Sequence, residues 1–283
     1  MKGTKKIMKH NKIQLNNFYG VKGGTLECIL AESPLDWEQP DWKRPAVIVV
    51  PGGGYEGCSK REGQPIASFF LSKGFQTFIL TYLCAFDDVR YPEQLFELAA
   101  AVDYVKTYAE KMFINPEEIF VVGFSAGGHL AGDLAVEYPF IEERIGAKLN
   151  CKPTAIGLGY PVISYKCGHR ASHESLVHGY TEEVKEKLLQ RLNLDELVTD
   201  KTPPAFLWTT AEDDCVPNIN TLVYASALSR QGIPYELHVY PQGRHGLSSC
   251  DLEINSEAPC LKKNSAWLEN CANFFRLFTK EKF

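Results

Sequence analysis

Residues 118–127, Glu-Ile-Phe-Val-Val-Gly-Phe-Ser-Ala-Gly, run from an apolar, β-branched stretch into a helical pattern with no room for a loop. A serine at such a junction, Ser125, has to sit in a sharp strand–turn–helix elbow. Glycines are needed at 123 and 127, because Cβ atoms two residues either side of the serine would collide. The turn lifts the serine hydroxyl to the top of a sheet, and the following helix points its positive end at any negative charge forming there. The bland alternative is a small-residue turn that packs helix on strand. The strand before and the helix after favour the elbow.

The rest of the chain supplies the sheet. Apolar runs fall at 46–50 (AVIVV), 75–82, 118–123, 154–160, 205–210 and 235–240. The first is apolar at every position and ends in Pro51 and three glycines, which predicts a strand buried on both faces. Helical periodicity fills 64–72, 93–111, 126–138, 218–231 and 264–279. This alternation predicts an α/β fold, with a mostly parallel central sheet and helices on both faces. Residues 12–32 predict an N-terminal hairpin, with Gly23-Gly24 near its turn. There is no Pro/Gly/Ser-rich linker and no internal repeat, so residues 1–283 are read as a single domain. One interval breaks the rhythm: about forty residues follow the strand ending near Tyr160, too many for a plain crossover. Residues 163–201 are read as a small cap over the crevice at the strand ends, with surface decoration as the alternative.

Composition removes other classes. The 283 residues carry a formal net charge of -5 with the positive charges scattered, which argues against a nucleic-acid partner. No apolar run approaches the roughly 18 residues of a membrane-spanning helix. The start, MKGTKKIMKHNK, is basic but leads into no apolar stretch. The nine cysteines are odd in number and include no CxxC pair. The expectation is a cytoplasmic protein with free thiols. No cofactor is expected, and a homo-oligomer stays open.

A serine alcohol is a poor nucleophile at neutral pH and needs a base. On an elbow of this kind the acid and then the base follow in the chain. Asp213 and Asp214 come after the run AFLWTT, and His245 comes after YELHVY, so both positions reach the sheet edge that carries Ser125. His10 lies in a polar tail, His129 in the elbow helix and His238 inside a strand. His169, His173 and His178 precede the acid in the chain. His245 is the candidate base. Asp213 is the candidate acid, with Asp214 and Glu212 as alternatives. Its task is to hold the imidazole in the right tautomer and stabilise it when protonated.

Acyl transfer also needs donors for an oxyanion. Pro51-Gly52-Gly53-Gly54-Tyr55 follows the first core strand, and its glycines let backbone N–H groups approach a substrate. The N–H groups of Gly53, Gly54 and Ala126 are the candidates. A phosphate loop is disfavoured, since neither GKS/GKT nor GxGxxG follows. His169, His173 and His178, with Cys167 nearby, raise a metal site, but no HExxH accompanies them and none is expected. These cap residues, with Tyr165, Arg170, Glu174 and Tyr180, suit a small polar ligand.

ProGlyGlyGlyTyr at 51–55, SerLysArgGluGly at 59–63 and GlyPheSerAlaGlyGlyHis at 123–129 resemble the bacterial acetyl-esterase group often labelled acetyl xylan esterase, in the α/β-hydrolase superfamily. The likeness continues through GlyTyrProValIle at 159–163, ThrProProAlaPheLeuTrp at 202–208, AspAspCysValPro at 213–217 and 232–247, and covers roughly 15–280. It implies an α/β-hydrolase fold and a serine esterase that removes short acyl groups, chiefly acetyl, from carbohydrate or other small esters. Ser125, Asp213 and His245 take the triad positions. Pro51 stands where many members have His, and Cys215 where Val is common. Arg61 and Glu62 either orient sugar hydroxyls or form a mutual salt bridge. Tyr55, Phe124 and His173 are further candidate substrate contacts, the first two closing a short acyl pocket. The expected substrate is a small ester or an acetylated xylo-oligosaccharide.

Three rivals share these residues. A general short-chain carboxylesterase uses the same triad. A peptidase or formamidase-like hydrolase shares the Asp-x-x-Val-Pro and His-Gly pattern, but a peptidase of that type is expected to carry a large N-terminal propeller. A non-catalytic binding protein on this fold is expected to lack part of the triad, and all three members are present.

Overall fold

The computed structural model describes residues 10–32, 42–141, 143, 148–256 and 260–280. Strand β3 (Arg44–Val50) lies inside the sheet, between β4 (Gln76–Thr81) and β5 (Ile114–Phe124), and runs parallel to both. Parallel pairing continues through β6 (Ala155–Gly159), β7 (Ala205–Thr210) and β8 (Tyr235–Tyr240). The N-terminal hairpin is β1 (His10–Gln14) and β2 (Thr25–Ile29), and β2 adds antiparallel to β4. The sheet has eight strands in the order β1-β2-β4-β3-β5-β6-β7-β8.

Each parallel strand contributes to both faces, as the continuous apolar runs require. Val47 and Val49 of β3 pack on one face with Phe120, Val122 and Phe124 of β5. Ile48, Val50, Ile119 and Val121 pack on the other. Helices α1 (Gln64–Ser72) and α9 (Ala266–Arg276) cover the first face, α9 through Trp267, Cys271, Phe274 and Phe275. Helices α2 (Glu93–Thr107), α3 (Ala126–Glu137) and α6 (Ile219–Arg230) cover the second.

The cap region holds α4 (Ala171–Leu176) and α5 (Glu182–Arg191). It is more than decoration: Leu176, Val177, Leu192 and Leu194 are buried in the same core as α3. Two predicted helices differ in extent. The pattern over 93–111 ends as a helix at Thr107 and continues as a 3-10 turn over Ala109–Met112, with Phe113 beyond it left-handed at φ 56. The pattern over 264–279 is α9 preceded by the short α8 (Leu261–Asn264), the two separated at Ser265. Between β8 and α8 lies the single turn α7 (Leu252–Asn255), capped by the Asp251 side chain on Ile254 N.

Candidate active site

Ser125 sits between the end of β5 and the start of α3, with φ 53 and ψ -120. A non-glycine residue held there stores strain, which the packing around it maintains. A Cβ on Gly123 would lie 2.2 Å from the Gly127 carbonyl oxygen. One on Gly127 would lie 2.3 Å from the carbonyl oxygens of Val50 and Pro51. The elbow therefore seats directly on the end of β3, where the glycine-rich loop begins. The backbone N–H of Ser125 donates to Gly159 O at 3.0 Å, which ties the nucleophile to β6.

The hydroxyl points to the histidine expected from the chain order. His245 Nε2 lies 2.9 Å from Ser125 Oγ, and His245 Nδ1 lies 2.8 Å from Asp213 Oδ2. The carboxylate fixes the ring proton on Nδ1 and leaves Nε2 free to accept from the hydroxyl. Asp213 is almost fully buried, and its other oxygen accepts from Cys215 N at 3.0 Å and Val216 N at 2.8 Å. The alternatives lie elsewhere. Glu212 accepts from Gly243 N, and Asp214 is reached by His245 N only at 3.5 Å. The His245 ring meets the edge of Tyr160, with centroids 4.9 Å apart.

Gly53 and Gly54 line the same cavity as Ser125 and His245, which encloses about 440 Å³. Both adopt positive φ, 131 and 67, which favours glycine. A Cβ on Gly53 would also meet Gly57 O at 2.1 Å. Ala126 is the first residue of α3, directly after the nucleophile. A larger surface groove of about 690 Å³ runs between α4 and α5 and contains none of these residues.

Several expected substrate contacts are corrected. Phe124 is fully buried on the α9 face against Tyr160 and Trp267, because strand alternation turns it away from the serine's side of the turn. Tyr55, at φ 62, turns its ring inward, and its hydroxyl bonds His129 Nδ1 at 2.8 Å. His173 is buried edge-on to His129, with Nε2 donating to Leu192 O. Glu62 borders the cavity but is buried, and both oxygens are occupied: Oε2 by Gly52 N and Oε1 by the Tyr160 hydroxyl. Arg61 does line the cavity and donates to Gly246 O and Asn255 Oδ1, so it and Glu62 have separate partners.

The wall also contains Ser172, His169, Asp214, Cys215 and Arg244. Arg244 carried a sequence signal only in its adjacency to His245, and Ser172 carried none. His169 donates from Nδ1 to Cys215 O and accepts at Nε2 from the Ser172 hydroxyl. Burial pushes its basicity down. Burial, helped by the charges of Asp213 and Asp214, pushes the Cys215 thiol up. The three cap histidines do not converge: His178 donates to Ser175 O, away from the other two. Among the described residues no group of three His, Cys, Asp or Glu is placed to hold a metal ion.

Fold and site together define a serine hydrolase of the α/β-hydrolase superfamily. The chain belongs to the BD-FAE family, whose sequence model matches residues 37–228. It is similar to "Endo-1,4-beta-xylanase B" of Butyrivibrio fibrisolvens, 32% identical over 220 residues, which cover 76% of this chain and 34% of that protein. It is also similar to "Acetylxylan esterase" of Xylanibacter ruminicola, 30% identical over 232 residues, covering 77% and 42%. The chain thus spans well under half the length of these two curated relatives. Among solved structures, an acetyl ester-xyloside bifunctional hydrolase from Caldicellulosiruptor lactoaceticus matches with TM-score 0.79 and 30% identity, over 97% of this chain and 98% of that one.

Proposed function

We propose that the protein hydrolyses short-chain esters, chiefly acetyl, carried by xylo-oligosaccharides or related small carbohydrates. The observation that carries this reading is the hydrogen-bond chain from Asp213 through His245 to Ser125, opening into a polar cavity. Among the described residues, the wall is built from glycines, small hydroxyls, histidines, charged groups and Cys215, with no large apolar side chain to hold a long acyl tail. The names of the acetylxylan esterase relative and of the solved acetyl ester-xyloside bifunctional hydrolase support an acetylated xylan-type substrate, and the xylanase relative adds only the link to xylan.

Ser125 Oγ attacks the acyl carbon while His245 Nε2 takes its proton. Asp213 stabilises the imidazolium without itself becoming protonated. The N–H groups of Gly53, Gly54 and Ala126 receive the oxyanion, each contributing about 3 kcal/mol in the transition state. His245 returns the proton to the departing sugar oxygen. Water then attacks the acyl-enzyme by the same route in reverse, releasing acetate. We place the enzyme in the cytoplasm, a reading supported by nine free cysteines.

The test is a panel of 4-nitrophenyl esters and acetylated xylo-oligosaccharides, run with the parent and with Ser125→Ala. Acetyl esters should turn over faster than butyryl esters, and octanoyl esters hardly at all. The oligosaccharides should release acetate, and Ser125→Ala should lose about a thousandfold or more. A preference for octanoyl esters would move the protein to the lipases. Activity retained in Ser125→Ala would end the serine mechanism.

A further inference from the structure

One buried carboxylate links the glycine loop to the segments that hold Ser125 and His245. Glu62 Oε2 accepts from the backbone N–H of Gly52 at 2.8 Å. Gly52 opens the glycine loop, and a Cβ placed on it would meet Ser125 Cβ at 2.9 Å, so this peptide lies directly against the nucleophile. Its carbonyl is held in turn by Ser59 N at 2.8 Å. Glu62 Oε1 accepts from the Tyr160 hydroxyl at 2.7 Å, and that hydroxyl accepts from Ser248 N at 2.9 Å. Ser248 stands three residues after His245 on the same loop, and the Tyr160 ring packs against the His245 ring. Tyr160 follows Gly159, whose carbonyl holds Ser125 N. Arg61, next to Glu62, secures the His245 loop a second time through Gly246 O at 3.0 Å.

We infer that Glu62 is a positioning residue: its two oxygens set the glycine loop and the His245 loop relative to Ser125 and so hold the oxyanion donors and the base in register. The inference rests on the hydrolase mechanism proposed above. A carboxylate suits the task because it offers two acceptors and no donor, and both its neighbours present protons. A neutral amide of the same shape has one oxygen. It would face either the Gly52 N–H or the Tyr160 O–H with an N–H, opposing like dipoles in a buried place. Burial pushes the pKa of Glu62 up, and the bonds from Tyr160 and Gly52 oppose that rise. A small shift of the Gly52 peptide would carry Gly53 and Gly54 with it, and a displacement of about 1 Å at a reacting centre can cost roughly a hundredfold.

The experiment compares Glu62→Gln, Tyr160→Phe and the double variant with the parent on an acetyl ester. It also measures inhibition by a small boronic acid, whose tetrahedral adduct on Ser125 places an oxygen among the oxyanion donors. Glu62→Gln should lower kcat about 10- to 100-fold with KM changed less than about threefold. Boronate affinity should fall in the same proportion. Tyr160→Phe keeps the ring on His245 but cuts the link to Ser248, and should lose less. The double variant should lose no more than Glu62→Gln alone, because both act through one network. If Glu62→Gln does not fold, Tyr160→Phe carries the test by the same split between kcat and KM. A folded Glu62→Gln with kcat within twofold of the parent would overturn the inference. So would a loss that active-site titration traces to fewer competent molecules with unchanged turnover per site. Activity in Ser125→Ala measured alongside would instead strike the underlying mechanism.

Discussion

His129 on the elbow helix and His173 on the cap helix α4 meet edge-to-face, 4.8 Å between ring centroids, and both direct Nε2 at the carbonyl of Leu192. Tyr55 closes the far side by donating to His129 Nδ1. Two imidazoles thus fasten the cap to the nucleophile's own helix, in a place too dry for a charge. Burial pushes His129 down to about 4 and His173 well below its ordinary value.

The sign of the pH effect follows. Both rings are neutral in the fold and take up protons when the chain unfolds near their ordinary value. Their contribution is present above about pH 6.5 and is lost as pH falls below it, for His129 down to about 4, each by up to about 1.4 kcal/mol per pH unit. Replacing His173 by Phe keeps an aromatic ring but removes one titrating group. The stability gap between parent and His173→Phe, read from urea unfolding at pH 7, 6 and 5, should shift in the variant's favour as pH falls. A gap independent of pH would refute the neutral pair.

Glu97 supplies the opposite slope. It is buried on α2, accepts from Leu83 N at 2.8 Å, and burial raises it to about 8, partly offset by that bond. A carboxyl group raised in this way favours the fold fully below its ordinary value near 4.5 and loses that contribution as pH rises through about 8. Glu97→Gln should therefore gain on the parent steadily between pH 5 and 8, by up to about 1.4 kcal/mol per pH unit. Parallel stability curves for the two proteins over that range would show that Glu97 is already ionised in the fold.

The elbow makes a steric prediction. The Gly127 position has two carbonyl oxygens at 2.3 Å from any Cβ, both from the backbone at the end of β3. Neither can move aside cheaply. Gly127→Ala should cost about 1–3 kcal/mol or more in unfolding free energy. It should also depress turnover in the fraction that stays folded, since α3 must lift and carry Ser125 with it. Wild-type stability by thermal melting would mean that the contact relaxes without strain.

The triad could be read from sequence because its signals are positional. Ser125, Asp213 and His245 each follow an apolar strand run, in the chain order that an elbow requires, and parallel strands deliver their C-terminal ends to one edge. Direction of side chains was harder. Phe124 precedes the nucleophile, yet β5 turns it toward α9. Tyr55 follows the oxyanion glycines, yet a left-handed φ of 62 turns it into the core. His173 lies in a polar stretch of sequence, but its face of α4 is the one that packs on α3. The role of Glu62 depends on partners at 52, 160 and 248, which no local pattern connects. The pairing of β2 with β4 likewise joins segments about fifty residues apart, beyond what strand patterns specify.

Two adjacent carboxylates allow the acid to be assigned by experiment. Asp213 is buried, bonds His245 Nδ1 at 2.8 Å and is anchored by two backbone N–H groups. Asp214 is on the cavity wall, with only a 3.5 Å contact to His245 N. Asp213→Asn presents either an amide N–H or a weaker acceptor to the imidazole. It removes the charge that stabilises the imidazolium and favours the wrong tautomer. The loss in kcat should be on the order of a thousandfold or more. Asp214→Asn leaves that arrangement intact and should change kcat by less than about tenfold, with any larger effect in KM, because its carboxylate faces the substrate space. Both rates, measured on the same acetyl ester, should be unaffected by EDTA. The reverse ranking of the two variants would transfer the acid role to Asp214 and require the His245 ring to turn in the working enzyme.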